Sequence, residues 1–263
     1  MSRLGRIASE TRAATKAFLR RRTAVFFTFL FPLLIVLIFG ALVQTQPTGG
    51  GLFTEPPAYY VPGYLAVVVL FTPLSRVGSE VARHREGRRF EKLATTPLSR
   101  AEWLLAQTIV NVAIIGVAAV LVLAVMVAVT DATIVPSPWL VPFLAVGVAL
   151  FCGVGALLGS FTDSQDGVIA ASNTLALPLL FLSETFVPPE LLPEWFRPAI
   201  ELSPLTYFSR GVRAVVTDPS AGVEGTVVAV WPAGPDPAVN LAVLSVLAAV
   251  AFGLAALALP RTD

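Results

Sequence analysis

The polar segment over residues 81–100 contains the residue types that point most directly to a function. It mixes both charges, because Glu86 and Glu91 stand among several arginines, and it carries Phe90 and Leu98 as apolar side chains. Interfaces between proteins combine an apolar centre with a polar and charged rim. The segment therefore predicts a docking site for another protein.

Residues suited to catalysis or metal binding are scarce. His84 is the only histidine and Cys152 the only cysteine, so the chain can form neither an internal disulfide nor a cysteine metal cluster. A phosphate-binding P-loop ends in Gly-Lys-Ser or Gly-Lys-Thr, whereas the only lysines, Lys16 and Lys92, follow a threonine and a glutamate. We predict no enzyme activity, no metal site and no cofactor bound by this chain.

Six long apolar runs fill most of the remaining sequence. A helix needs about 20 apolar residues to cross a hydrocarbon core about 30 Å thick. At 56% hydrophobic and 13% charged residues, with a mean hydropathy of +0.78, the chain is too apolar for a soluble domain. Runs of this length suit helices better than the alternating strands of a barrel. We predict an all-α polytopic membrane protein whose single membrane domain, 24–263, has six transmembrane helices near 24–43, 61–79, 103–129, 139–161, 168–186 and 238–259.

Basic residues are concentrated in two segments. Of the 18 arginines and lysines, seven precede the first apolar run and seven fall over residues 76–100. Such residues in short loops stay on the cytoplasmic side, so we expect both termini and the 81–100 segment to be cytoplasmic. Arg197, Arg210 and Arg213 are exceptions in an outer segment. We expect Arg210 and Arg213 to be solvated, with contact to anionic lipid or substrate groups as the alternative.

Residues 1–23 form a separate basic unit before the first span. Leu4, Ile7, Thr11, Ala14 and Phe18 repeat at helical spacing and give one mildly apolar face. Such a cytoplasmic amphipathic helix would lie in the inner headgroup layer. A disordered basic tail that only sets the orientation of the chain is the alternative.

Within the apolar runs, small and uncharged polar residues are the informative ones. The polar residues at the expected membrane depth are Gln107, Asn111, Ser172, Asn173 and Thr174. An ion-coupled carrier usually places an ionisable residue there, so the pattern argues against proton or sodium coupling. Gly155 and Gly159 form a small-xxx-small pair, which favours helix packing over substrate contact.

The short connection between the fourth and fifth runs contains Asp163 and Asp166. We expect these carboxylates to form a second contact with the protein that docks on the 81–100 segment. Capping of the following helix explains them almost as well, because Asp beside a helix start satisfies free amides and suits the helix dipole.

The segment 184–198 is interrupted by prolines but rich in Phe, Leu and Trp. Proline prevents one continuous helix, and aromatic residues such as Trp195 are favoured at a membrane interface. We predict short re-entrant helices on the outer side, between spans five and six. An ordinary surface loop anchored by aromatic residues is the alternative.

Several of these residues resemble motifs of one family, the ABC transporter type-2 permeases. The family's cytoplasmic coupling loop reads Glu-Arg-Glu, Gly-Thr, Leu-Glu and Thr-Pro-Leu-Ser, and this chain has Arg85-Glu86, Glu91, Leu93 and Thr96-Pro97-Leu98-Ser99. His84 replaces the first acid, and Arg88 and Arg89 stand where the Gly-Thr pair is usual. Further matches, in order, are Val61-Pro62-Gly63-Tyr64, Leu182-Ser183 with Pro188, and Leu202-Ser203-Pro204-Leu205-Thr206-Tyr207. Glu184 replaces a common glycine, and Ser203 a common asparagine.

The resemblance implies a permease half that exports its substrate, with ATP and Mg bound by a separate ATPase subunit. It implies a second permease half, identical or not, and a location in the cytoplasmic membrane of a bacterium or archaeon. The implied coupling residues are Arg83, Arg85, Glu86, Arg89, Phe90, Glu91, Pro97 and Leu98. The implied outer gate contains Phe186, Pro188, Trp195, Pro204 and Tyr207.

An apolar path favours a hydrophobic or amphipathic substrate such as a drug, a lipid or a lipid-linked glycan. The expected partners are thus an ABC ATPase, a second permease half and the lipid bilayer, and no nucleic acid. A secondary carrier and a membrane scaffold that transports nothing remain as alternatives.

Overall fold

The computed structural model describes residues 2–42, 57–130, 134, 137–185, 193–216 and 236–259. Its α-helices are α1 (Arg3–Arg20), α2 (Arg22–Val36), α3 (Val61–Glu86), α4 (Arg89–Ala94), α5 (Arg100–Val129), α6 (Leu140–Phe161), α7 (Gln165–Phe181), α8 (Arg197–Ile200), α9 (Pro204–Val216) and α10 (Pro237–Ala258). A π-helix over Leu37–Leu42 continues α2, and 3-10 helices over Pro57–Tyr60 and Glu194–Phe196 precede α3 and α8. No strand occurs in these residues, so the all-α prediction is confirmed.

Five helices in the described ranges are long and apolar enough to cross a membrane: Arg22–Gly40, Ala58–Glu86, Arg100–Val129, Leu140–Phe161 and Pro237–Ala258. They coincide with the predicted spans one, two, three, four and six, and they confirm a polytopic membrane protein. The fifth predicted span falls on α7, which has 17 residues and is shorter than the others. The sixth crossing therefore stays a prediction, as does the division into units 1–23 and 24–263.

The first half of α3 is enclosed by the rest of the bundle. Every residue over 61–70 is buried, which is the pattern of a helix surrounded by apolar neighbours. α6 packs along α3 through small residues. A Cβ atom added at Gly155 would lie 3.1 Å from Leu74 Cα, and one at Gly159 would lie 3.0 Å from the carbonyl carbon of Gly78. Glycine lets the two backbones approach this closely, and the helix-packing interpretation of the glycine pair is confirmed.

The basic N-terminal segment is helical, not a disordered tail. Ser2 caps α1 by accepting a hydrogen bond from the Gly5 amide at 3.2 Å. Ala14 and Phe18 are buried in a small apolar cluster with Val110 and Ile114 of α5. Part of the apolar face that was expected to meet lipid is thus covered by α5. The place of α1 in the headgroup layer stays a prediction.

Arg76 adds a charge to the polar residues inside the bundle. It lies on α3, and its Nη1 donates to Asn111 Oδ1 on α5 at 2.9 Å. Its guanidinium also lies 4.9 Å from the centre of the Phe18 ring on α1. The sequence predicted only uncharged polar residues at membrane depth, Asn111 among them. This prediction is corrected, because Asn111 binds the charged side chain of Arg76.

The bundle has two ends, which the contacts of the described residues define. We call the end formed by α1, residues 83–98 and the α6–α7 connection the basic end. The end of α10 also lies there, because Arg100 Nη1 donates to the Leu257 carbonyl at 3.4 Å. At the opposite end, the guanidinium of Arg213 on α9 lies 4.3 Å from the centre of the Tyr59 ring. Which end faces the cytoplasm stays a prediction.

Candidate functional site

The residues of the predicted coupling loop, 83–98, form a short helix between two long ones. α3 continues to Glu86, and the chain then turns at Gly87 and Arg88 before α4 begins. Arg88 has φ 49°, in the left-handed region that favours glycine, and glycine is common near this point in the resembling family's loop. After α4, Ser99 caps α5 in a capping box with Glu102, which defines where the loop ends.

Three aromatic rings attach α4 to the two long helices. The ring centres of His84, Phe90 and Trp103 are 5.3 to 5.5 Å apart in each pair, in tilted or edge-to-face arrangements. Phe90 is 3% exposed and Trp103 is fully buried. The sequence predicted Phe90 as part of an apolar docking surface, but its buried side chain is not available to a docking partner. It holds α4 against α3 and α5.

Arg85 joins the end of α3 to the end of α6. Its Nη1 donates to the carbonyl oxygens of Ser160 and Thr162, both at 2.9 Å, and to that of Gly159 at 3.3 Å. Carbonyls at the C-terminal end of a helix have no partner within the helix and carry partial negative charge, so a guanidinium stabilises them.

Glu86, the next residue, makes the complementary contact with the start of α7. Its Oε1 accepts from the backbone amide of Gln165, and its Oε2 from Gln165 Nε2, both at 3.1 Å. A carboxylate at a helix N-terminus suits the free amides and the positive end of the dipole. We call this pair of contacts, Arg85 on α6 and Glu86 on α7, the Arg85–Glu86 clamp.

The clamp brings the two predicted docking elements together, because Asp163 lies in the connection that it holds and Asp166 lies in the first turn of α7. Both side chains are exposed, and neither makes a hydrogen bond or ion pair with the described residues. Ser164 supplies the cap of α7 by accepting from the Gly167 amide at 3.1 Å. Side-chain capping is therefore assigned to Ser164, although Asp166 in the first turn still suits the helix dipole.

The other predicted coupling residues divide into anchored and open ones. Arg83 forms an ion pair with Glu80 on its own helix. Arg89 and Pro97 are exposed, while Glu91 and Leu98 are half-buried. Arg89 and Glu91 make no ion pair or hydrogen bond through their side chains with the described part of the chain. α4 thus turns Phe90 inward and leaves charges of both signs outward.

Hydrogen bonds from α1 to the start of α5 were not predicted from the sequence. Glu102 is 3% exposed, and it accepts from the Ser99 amide at 2.9 Å, from Arg6 Nη2 at 2.7 Å and from Arg3 Nε at 3.2 Å. The hydrogen bond to Glu102 raises the pKa of Arg6 above its ordinary value. The Ser-x-x-Glu spacing of the capping box was a usable signal, whereas the arginines come from a distant part of the chain.

The opposite end contains a buried ion pair in place of the solvated arginines that were expected. Arg210 Nε donates to Glu184 Oε2 at 2.9 Å, and its Nη2 donates to Glu201 Oε1 at 2.8 Å. Glu184 is 2% exposed, and the Arg210 side chain is 17% exposed. Arg213 Nη2 donates to the Glu184 carbonyl at 3.0 Å. The solvated expectation was wrong, because residues 184 and 201 fold back onto α9.

Glu184 itself has an unusual backbone conformation. Its φ is 53°, so the chain adopts at this point the left-handed conformation that favours glycine, the residue common here in the resembling family. The carboxylate is retained in the interior by Arg210, whose pKa is raised by its hydrogen bonds to Glu184 and Glu201.

The predicted outer gate is only partly described. Phe186 and Pro188 lie outside the described residues. Trp195, in the 3-10 helix before α8, is 80% exposed. Pro204 begins α9, and Tyr207 lies on α9, where its hydroxyl donates to the Glu201 carbonyl at 2.9 Å. Tyr207 thus joins Glu184, Glu201 and Arg210, and we call these four residues the Arg210 cluster. The gating role of the predicted residues stays a prediction.

Comparison with known proteins agrees with the resemblance. No curated protein matches this chain. The family model described as ABC-2 type transporter matches residues 7–217. The matched region includes most of α1, the 83–98 loop, the Arg85–Glu86 clamp and the Arg210 cluster. The chain belongs to the ABC-2 type transporter family and is an ABC transporter permease.

Proposed function

We propose that this chain is the permease half of an exporter, driven by a separate ATPase subunit that docks on the 83–98 loop. The Arg85–Glu86 clamp is the observation that supports this most strongly. It ties one end of the exposed loop to both α6 and α7, so a force applied at α4 reaches three long helices. A loop that served only to set orientation would need positive charge and no such connection.

The geometry favours transmission along α3. α4 is held by Phe90 against His84 and Trp103, and α3 runs from the loop to residue 61 as one helix, with Pro73 in its interior. When two ATPases close on ATP, they push on α4, and α3 and α7 tilt together to change access to the path. ATP can shift the assembly from one conformation to the other only if it binds the two conformations with different affinities.

The docking surface combines the open charges of α4 with a second contact. Arg89 and Glu91 supply both signs of charge on the loop, and Asp163 and Asp166 supply carboxylates on the adjacent connection. The ATPase subunit contributes the nucleotide site, with ATP and Mg. This chain contributes the membrane path and the surface that receives the movement.

The path lies between two such permease halves, identical or not, in the cytoplasmic membrane of a bacterium or archaeon. Only 11% of the most apolar stretch of the span Arg22–Gly40 is buried within one chain, which leaves its apolar surface for lipid or a second half. The substrate is hydrophobic or amphipathic, a drug, a lipid or a lipid-linked glycan. The segment that contains Trp195, Pro204 and Tyr207 caps the outer end of the path.

The proposal is tested by purifying the protein gently from its native membrane and identifying what remains bound by mass spectrometry. Wild type should retain a P-loop ATPase, and Glu86→Arg and Glu91→Arg should each lose it. Glu194→Arg makes the same charge change at the opposite end of the bundle and should keep the ATPase. Insertion of every variant is checked by its yield in the membrane fraction.

Other results would assign another function. If both loop variants keep the ATPase and show normal substrate-stimulated ATP turnover, the loop is not the coupling surface. If no ATPase is present in any sample and substrate moves with an ion gradient, the chain acts as a secondary carrier. If neither ATP turnover nor transport responds to any substrate, a scaffold role follows.

A further inference from the structure

The surface of α1 is divided lengthwise into three stripes. At 3.6 residues per turn, residues three or four apart lie on the same side of a helix. One side, with Ile7, Ala14 and Phe18, packs on the bundle. A second stripe contains Leu4, Ala8 and Leu19. The third contains Arg12, Lys16 and Arg20, and we call it the basic stripe.

Contacts on the packed side fix which way the other two stripes face. Phe18 is 5% exposed in its cluster with α5, and Arg6 is bound to Glu102 at the start of α5. These two contacts are three turns apart on α1, so the helix cannot roll about its axis without breaking one of them. The leucine stripe and the basic stripe are therefore held outward.

The leucine stripe adds exposed apolar side chains close in sequence to a candidate span. Leu4 is 80% exposed and Leu19 is 60% exposed. At the start of α2, which is one of the candidate spans, Phe26 and Phe27 are 57% and 58% exposed. Exposed apolar side chains next to a span are accommodated by lipid, so this side of α1 faces the bilayer.

The basic stripe lies beside the leucine stripe and has no acidic neighbour on the exposed surface of α1. Arg12, Lys16 and Arg20 are all exposed, and none forms an ion pair or hydrogen bond through its side chain with the described part of the chain. Glu10, the only acidic residue of α1, belongs to the packed side and is half-buried. Three cations in a row, bordered by apolar side chains, match a layer of anionic headgroups above acyl chains.

We propose that the basic stripe of α1 binds anionic phospholipid of the inner leaflet. We infer lipid because exposed leucines beside the three cations, on a helix that directly precedes a candidate span, would be of no use to a soluble anion. The proposal does not depend on ATP-driven transport, since none of the three cations belongs to the clamp or to the proposed docking surface. Each cation near a membrane surface strengthens binding of anionic lipid roughly fivefold, so three give about a hundredfold at low ionic strength.

The full-length protein is equilibrated in mixed micelles of phosphatidylglycerol and phosphatidylcholine and repurified, and the retained lipids are counted by mass spectrometry. Wild type should retain phosphatidylglycerol preferentially, and added salt should weaken the preference. The variant with Arg12→Gln, Lys16→Gln and Arg20→Gln should lose most of it. Arg12→Lys with Arg20→Lys keeps the charges and should retain it.

A matched control removes three exposed cations from the neighbouring loop through Arg88→Gln, Arg89→Gln and Lys92→Gln, and it should keep the preference. Equal loss in both triple variants, or an unchanged preference in the α1 variant, overturns the proposal. Displacement of the lipid by inorganic phosphate at matched ionic strength would assign the stripe to a free anion. Loss of a co-purified ATPase with unchanged lipid preference would assign it to a protein partner. Either result also overturns the proposal.

Discussion

Replacing Gly155 by alanine tests the close approach of α3 and α6. The new Cβ would lie 3.1 Å from both Leu74 Cα and the Leu74 carbonyl carbon, and nearer still to its oxygen. Carbon atoms prefer separations of about 3.5–4.0 Å, so the helices must move apart by roughly 0.4–0.9 Å. The atoms met are backbone, and no side-chain rotation can relieve the contact.

The cost of this contact can be set against the gain in helix propensity. Overpacking a tight interior costs about 1–3 kcal/mol, and exchanging glycine for alanine inside a helix recovers up to about 1 kcal/mol. We expect Gly155→Ala to lower the free energy of unfolding by about 1–2 kcal/mol. For a chain of this size, 1 kcal/mol shifts a thermal midpoint by about 2–4 °C.

Gly253→Ala is the matched control. Gly253 lies on α10, and among the described residues a Cβ there would meet no atom within 4 Å apart from the backbone of its own helix. Its midpoint in detergent, followed by tryptophan fluorescence, should therefore stay at or slightly above the wild-type value. If Gly155→Ala is as stable as Gly253→Ala, the two backbones are not in contact, and the reasoning fails.

The same substitution should weaken coupling. The carbonyl of Gly159, one turn from Gly155, is one of the acceptors of Arg85 at 3.3 Å. A shift of half an ångström would take this contact beyond hydrogen-bond length. Substrate-stimulated ATP turnover of the assembled transporter should fall in Gly155→Ala and not in Gly253→Ala.

Three further predictions concern other contacts. Arg210→Gln should lower stability by about 3–5 kcal/mol, because it leaves the buried Glu184 carboxylate without its cation; adding Glu184→Gly should restore most of the unfolding midpoint. Phe90→Ala should release α4, and trypsin should then cut the loop several times faster than in wild type, whereas equal rates would mean that Phe90 does not anchor it. Burial, with the nearby charge of Glu80, raises the pKa of Glu10 above its ordinary 4.5, so ionised Glu10 destabilises the fold at neutral pH. Glu10→Gln should raise the midpoint at pH 7, and the gain should shrink as pH falls through the raised pKa and vanish below 4.5; a gain that is independent of pH would contradict this.

Properties that depend on neighbouring residues could be predicted from the sequence. The length and apolar content of each run are local, so spans one, two, three, four and six appear as helices within a few residues of their predicted bounds. α3 is the exception, because it continues seven residues past the predicted end at 79 into the polar loop. The mixed charge of residues 81–100 was equally visible and indicated the loop that the clamp holds.

The partners of the site residues could not be predicted in this way. Glu86 meets Gln165, which is 79 positions away, and Arg210 meets Glu184, 26 positions away. Contacts of this kind depend on how the helices are placed relative to one another, which no local pattern contains. For the same reason the sequence predicted an exposed Phe90 in a docking site and a solvated Arg210, although both side chains are held inside.

The sequence by itself thus determined that the chain is a helical membrane protein with two basic segments and a coupling-like loop, because apolar run length and charge are properties of the chain. Only the tertiary structure decided that Arg85 and Glu86 join that loop to α6 and α7. It also decided which side of α1 is left open, because burial follows from the contact of helices far apart in sequence.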